Sequence, residues 1–231
     1  MDLLYILFLA AVIFTFVAQV KVSTTFKRYS RVAVGRGQTG AEVARRILDS
    51  HGLYHVRIER VAGNLTDHYD PRAEVLRLSN GVHDSSSSAA VGVAAHEVGH
   101  AIQHAEGYLP VIIRGKLVPA VSFASKFAWI AIILGILIIN FSAVLGEYVL
   151  IGGIILFAAT TLFHLVTLPC EINASGRAMS ELELLGWYSR EDLRGAKKVL
   201  SAAAMTYIAA LATSVIQLLR LLSILGGSRR R

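Results

Sequence analysis

A chain of 231 residues that is 54% hydrophobic, with a positive mean hydropathy, carries more apolar surface than one soluble domain of this size buries, so membrane spans are expected. The formal net charge of +7 does not indicate a nucleic-acid partner, because the basic residues flank apolar runs and no basic and aromatic binding motif accompanies them. Cys170 is the single cysteine; it excludes an intrachain disulfide and fits a packed thiol in a reducing compartment.

Residues 3–20 form an almost charge-free apolar run of the length that crosses a bilayer. The run has no basic n-region, is preceded by Asp2 and is not followed by a small-residue cleavage site, so a retained anchor is expected rather than a signal peptide. Lys21, Lys27, Arg28, Arg31 and Arg36 come next. By the positive-inside tendency they place residues 21–116 in the cytoplasm of a multi-pass protein of the plasma (inner) membrane.

Within residues 21–116 the pattern predicts a small α+β domain. Thr39-Gly40-Ala41-Glu42 opens a helix with apolar Ala41, Val43, Ala44, Ile47 and Leu48, and Gly52 stops it. Residues 56–61 and 73–78 alternate apolar and charged side chains, with Gly63, Asn64, Asp70 and Pro71 between them, which predicts a small antiparallel sheet. Residues 73–79 are then either an edge strand that holds an extended substrate by main-chain hydrogen bonds or a purely structural hairpin.

The serine-rich run 85–88 offers helix N-caps ahead of small residues 89–95. The helix so begun carries His96-Glu97-Val98-Gly99-His100. A four-residue step turns a helix by about 400°, so both imidazoles leave one face and can share a tetrahedral ion, with Glu97 beside them. The bare pattern also fits a hydrated helical face. Ala94, Ala95, Val98, Gly99, Ala101 and Ile102 leave too little polar surface for that, so a metal is favoured. His104 is read as a packed surface histidine.

Two further spans fit residues 121–139 and 148–168, a helical hairpin with a polar break at Asn140, Ser142 and Glu147. A zinc site needs a third ligand and an open position for water. Glu171 follows Pro169, which is expected to break the span, and it begins a segment in which Ala174, Ser175 and Ala178 permit close helix approach. A glutamate there could equally cap a helix. Two crossings between His100 and Glu171 return the carboxylate to the side of the histidines, which favours ligation. Gly186 ends a segment, and Ser189 caps another with Glu191 and Asp192 in its first turn. A last apolar stretch, 199–225, is interrupted by Gln217 and Arg220 and precedes Arg229, Arg230 and Arg231; whether it crosses is open, which gives three to four spans.

The expected organisation is an anchor (1–20), a cytoplasmic domain with the metal helix (21–116), a transmembrane hairpin (117–168), a third-ligand helix (169–198) and a C-terminal apolar helix with a basic tail (199–231). The fold class is a mainly α integral membrane protein with a small α+β domain.

These residues carry a resemblance. Leu78-Ser79 ahead of the serine-rich linker, Ala95 to His104 around the two histidines, the hairpin, and Leu168-Pro169 before Glu171 resemble the bacterial YugP-type membrane zinc metallopeptidases over nearly the whole chain, and more distantly the HtpX-like peptidases. The resemblance implies a gluzincin-like site: His96, His100 and Glu171 binding one zinc ion, with Glu97 as general base. This chain has Asn173 where the family more often shows an aspartate, which bears on the surroundings of the metal rather than on ligation. The expected partners are a polypeptide substrate and the lipid bilayer; the oligomeric state is not legible.

The function expected is a membrane-bound zinc endopeptidase, with Arg177, Asn173 and His104 as candidates to stabilise an oxyanion. An intramembrane site-2-type protease is disfavoured by the serine-rich run before the motif and the lack of a later Leu-Asp-Gly segment. The alternative is a non-catalytic membrane adaptor with a structural zinc, which would have no use for Glu97.

Overall fold

The computed structural model describes residues 3–228, so Asp2 and the Arg229, Arg230 and Arg231 tail lie outside the described residues. The elements run α1 (Leu3–Tyr29), α2 (Gly40–Ser50), β1 (Arg57–Val61), β2 (His68–Asp70), β3 (Val75–Ser79), α3 (Asn80–His83), α4 (Ser88–Ala105), α5 (Leu109–Ile139), α6 (Ala143–Leu184) and α7 (Arg190–Ser228). The fold is mostly helical with one small sheet. Four helices, α1, α5, α6 and α7, are long and apolar enough to cross a membrane.

The chain divides into two compact units. One consists of Met1–Val17, Ile112–Leu168 and Tyr207–Arg231 and holds the apolar stretches. Its core is Ile132, Leu150, Ile154 and Leu221, and small residues let its helices meet. A Cβ on Gly135 would come within 2.6 Å of the Leu150 main-chain nitrogen, so only glycine permits that crossing. Thr15 and Thr213 share a hydrogen bond of 3.0 Å between α1 and α7. Arg220 lies 4.4 Å over the Phe8 ring and 5.4 Å over that of Tyr5, a cation shielded by aromatic faces. It also donates to Gln217 Oε1 at 2.8 Å.

The other unit consists of Ala18–Val111 and Pro169–Thr206. Helix α2 forms as its sequence dictates: the Thr39 hydroxyl accepts from the Glu42 N–H while Glu42 accepts from the Thr39 N–H, a reciprocal cap. Its apolar stripe of Val43, Ala44, Ile47 and Leu48 is buried. Gly52, at φ +71°, turns the chain out of the helix. Ser87 caps α4 by accepting from the Ala90 N–H. Gly186, at φ +63°, follows the end of α6, and Ser189 and Asp192 cap α7 reciprocally.

The sheet differs from expectation. It has three strands in the order β1-β3-β2, with β1 parallel to β3 and β2 antiparallel to it. Alternation marks a strand but carries no direction, and the hairpin turn sits later than Gly63 and Asn64. The Asp70 carboxylate accepts from the Arg72 and Ala73 N–H groups, closing a tight turn between the short β2 and β3. The preceding loop is tied down by Asp67, which accepts from the N–H and hydroxyl of Ser79. Within segment 73–79, residues 73 and 74 belong to the turn, and Val75–Ser79 form the central strand, flanked on both sides, and not the edge strand expected. Its side chains are buried on both faces.

Pro169 does not break the helix. Helix α6 runs through it for 42 residues, so Glu171 stands on the continuation of the second hairpin span rather than on a separate helix. A proline removes one main-chain donor but leaves its neighbours' bonds in place, and long apolar helices tolerate this.

Leu76 on β3 is fully buried among α2 and α4 residues of the core, whereas Ile130 on α5 is exposed. Leu76→Ala should lower stability by about 2–5 kcal/mol, read as a reduced Tm in detergent. Ile130→Ala should leave Tm nearly unchanged, and equal effects would contradict the placement of β3 in the core.

Candidate metal centre

The site is built where α4 meets the second half of α6. His96, Glu97 and His100 project from α4, and Glu171 projects from α6, buried to 2% exposure. Glu171 Oε2 lies 3.2 Å from His96 Nε2 and 3.5 Å from His100 Nε2. One ligand atom from each of the three residues falls within 4.8 Å of the other two. Ligands held at about 2.0–2.1 Å in a tetrahedron stand roughly 3.3 Å apart, so both measured separations suit a shared zinc ion. The imidazole rings meet edge to face, 84° apart with centroids at 4.8 Å. Both histidines remain partly accessible, as a site with an open fourth position requires.

Two further side chains reach the far nitrogens of the histidines. His96 Nδ1 lies 3.1 Å from Ser175 Oγ, and His100 Nδ1 lies 3.0 Å from Gln103 Oε1. Glu97 Oε2 accepts from the main-chain N–H of Tyr69 at 3.2 Å. That bond ties the short strand β2 to α4.

The electrostatics follow from burial. Desolvation pushes the Glu97 carboxyl above the usual carboxylate range, more than the nearby His96 and His100 draw it down. For His100, burial works against the charged form, but the hydrogen bond to Glu171 and the charge of Glu97 outweigh it and raise its pKa. A carboxyl poised above its ordinary value is the kind of group that accepts a proton near neutrality.

Close helix approach makes the arrangement possible. Ala174 and Ala178 are fully buried, and a Cβ added to Gly99 would stand 2.7 Å from the Ala174 carbonyl oxygen. The two middle residues of the His-Glu-x-x-His run are thus set by packing, with Gly99 as the point of contact between the ligand helices.

Of the other sequence-predicted candidates, Arg177 Nε donates to Asn173 Oδ1 at 2.8 Å and its Nη2 donates to Glu106 Oε2 at 2.7 Å. The first bond lies within α6 and the second ties α6 to the end of α4. Asn173 enters these bonds as an acceptor through its oxygen, the role an aspartate would fill. His104 is exposed, 6.1 Å from the Tyr69 ring, and is not among the three grouped ligands. Cys170 is buried and forms no disulfide. Gln103, Ser175 and the Tyr69 main chain were not identified from sequence. The one signal for Gln103 was an amide three residues beyond His100 on an otherwise apolar helix face.

The sequence profile of a family described as "Putative neutral zinc metallopeptidase" matches residues 4–226. The chain belongs to this zinc metallopeptidase family. Among its relatives is the "Putative membrane protease YugP" of Bacillus subtilis (strain 168), which is 48% identical over 217 residues, covering 94% of this chain and 93% of the relative. No solved structure matches the chain. For this member of the family the four long apolar helices agree with a membrane protein, and the two histidines and one carboxylate are a donor set suited to zinc.

Gly99→Ala should force α4 and α6 apart, because the atom met is a backbone oxygen that cannot swing away. A cost of about 1–3 kcal/mol is expected, seen as a lower Tm and a reduced zinc content by elemental analysis. Unchanged zinc and Tm would show that the helices do not approach this closely.

Proposed function

We propose that this metallopeptidase is a membrane-bound zinc-dependent endopeptidase in which His96, His100 and Glu171 hold one zinc ion and Glu97 is the general base. The observation that carries the reading is the 3.2 and 3.5 Å convergence of two histidine nitrogens on one Glu171 oxygen, with Glu97 beside them. Two histidines followed by a glutamate from a later helix are the gluzincin type of ligand set, and the small α+β unit around them is read as the catalytic domain.

Zinc, when bound, supplies a Lewis acid that polarises the scissile carbonyl and makes water a better nucleophile. Glu97 takes a proton from the attacking water and passes it to the leaving amine as the C–N bond breaks. Its raised proton affinity serves both halves of that exchange. The Tyr69 N–H orients the carboxylate meanwhile.

Lys21, Lys27, Arg28, Arg31 and Arg36 support a plasma (inner) membrane placement with the site on the cytoplasmic side. Cytoplasmic or membrane-proximal polypeptides are then the accessible substrates. A non-catalytic adaptor with a structural zinc is the competing reading. It leaves unexplained why a carboxylate with an elevated pKa stands beside the metal ligands.

Detergent-purified Glu97→Gln should keep one zinc per chain and lose cleavage of an unfolded protein substrate by about 10²–10⁴-fold, the usual contribution of a general base. Glu171→Gln should lower zinc content and activity together, and chelation of the wild type should abolish cleavage reversibly. Zinc in both wild type and Glu97→Gln without cleavage by either would favour the adaptor. Full zinc in Glu171→Gln would remove that residue from the ligand set.

A further inference from the structure

Gln103 is a polar side chain with no exposed surface at all, one turn beyond His100 on α4. Burying an amide is costly unless its donors and acceptor are used, and here they are. Its Nε2 donates to the Cys170 main-chain carbonyl at 2.9 Å and to Asn173 Oδ1 at 2.9 Å. Its Oε1 faces His100 Nδ1 at 3.0 Å.

These bonds fix the orientation of the amide and the role of the nitrogen that faces it. A main-chain carbonyl can only accept, so the NH₂ end of the amide must face Cys170 and the oxygen must face His100. An amide oxygen can only accept in turn, so His100 carries a proton on Nδ1. His100 Nε2, 3.5 Å from Glu171 Oε2, is then the ring nitrogen turned to the ligand position. The same amide grips α6 at Cys170, the residue before Glu171, and at Asn173, two residues after it. Arg177 completes the bracket by joining Asn173 to Glu106, the C-cap of α4.

We propose that Gln103 is a positioning residue of the metal centre, fixing the tautomer of His100 and the placement of Glu171 through one buried amide that bridges the two ligand helices. The proposal rests on the zinc reading above and assigns a role to a residue outside the ligand set. Hydrogen-bond partners of metal ligands commonly carry about 10–100-fold in metal affinity, and Gln103 serves two ligands at once.

The test uses the full chain in detergent as wild type, Gln103→Leu and Gln103→Glu. Zinc affinity is measured by chelator competition, and the His100 tautomer by ¹⁵N NMR of histidine-labelled, zinc-free protein. Gln103→Leu should weaken zinc binding by about 10–100-fold and lose the Nδ1–H signature of His100. Gln103→Glu keeps an acceptor for His100 but has no donor for α6, so it should retain that signature while still binding zinc more weakly than wild type. Wild-type zinc affinity with an unaltered His100 tautomer in Gln103→Leu would overturn the proposal. Should Gln103→Leu fail to fold, wild-type affinity in Gln103→Glu would overturn the bridging role. A wild type that binds no zinc would instead overturn the metal reading, and the two failures are thereby distinct.

Discussion

Everything at the candidate centre depends on the contact between the backbones of α4 and α6 at Gly99 and Ala174. With no side chain between them, the two helices come close enough for a carboxylate on one to reach two imidazoles on the other. Glutamate is a short tether, and an added layer of even one methyl group would hold Glu171 away from His96 and His100. The sheet, the caps and the α2 packing serve this contact by fixing α4 in place. Burial of Ala174 and Ala178 on one side and of Ala94, Ala95 and Ala101 on the other shows how consistently small residues are used along these two helices.

Close approach has an electrostatic consequence. Glu171 is almost without solvent, and a buried carboxylate is tolerated only with partners that offset its desolvation. His96 and His100 are two such partners, and each is itself held from behind, by Ser175 and Gln103. Glu97 is treated differently: it accepts one main-chain N–H and is otherwise pushed toward its neutral form. Two glutamates within one site are thus driven in different directions by their surroundings, one toward holding charge as a ligand and the other toward exchanging protons.

Much of this was legible in the sequence because it is written in local patterns. The cap at Thr39 and Glu42, the stripe of Val43, Ala44, Ile47 and Leu48, the serine caps of α4 and the pairing of Ser189 with Asp192 depend only on neighbours a turn away. The four-residue spacing of His96 and His100 is equally local. Glu171 could be selected because an even number of spans separates it from the histidines. What was missed depends on partners distant in sequence. Residue alternation cannot tell a parallel strand from an antiparallel one, so the central position of β3 was hidden, as was β2, only three residues long. Pro169 was read by its local preference, which the long helix overrides. Gln103 looked like an ordinary helix residue, since its acceptors lie 67 and 70 positions away.

Along α6, Glu171 is followed at three, four and seven residues by Ala174, Ser175 and Ala178. Each residue of a helix advances 1.5 Å and turns about 100°, so the ligand, the point of contact with Gly99, the hydrogen-bond partner of His96 and a buried packing residue share one face. A single insertion or deletion between Glu171 and Ala174 would leave the packing residues against α4 and swing the carboxylate by about 100° away from the histidines. The three-residue step from Glu171 to Ala174 is thus as strict a requirement of the centre as the identity of its ligands.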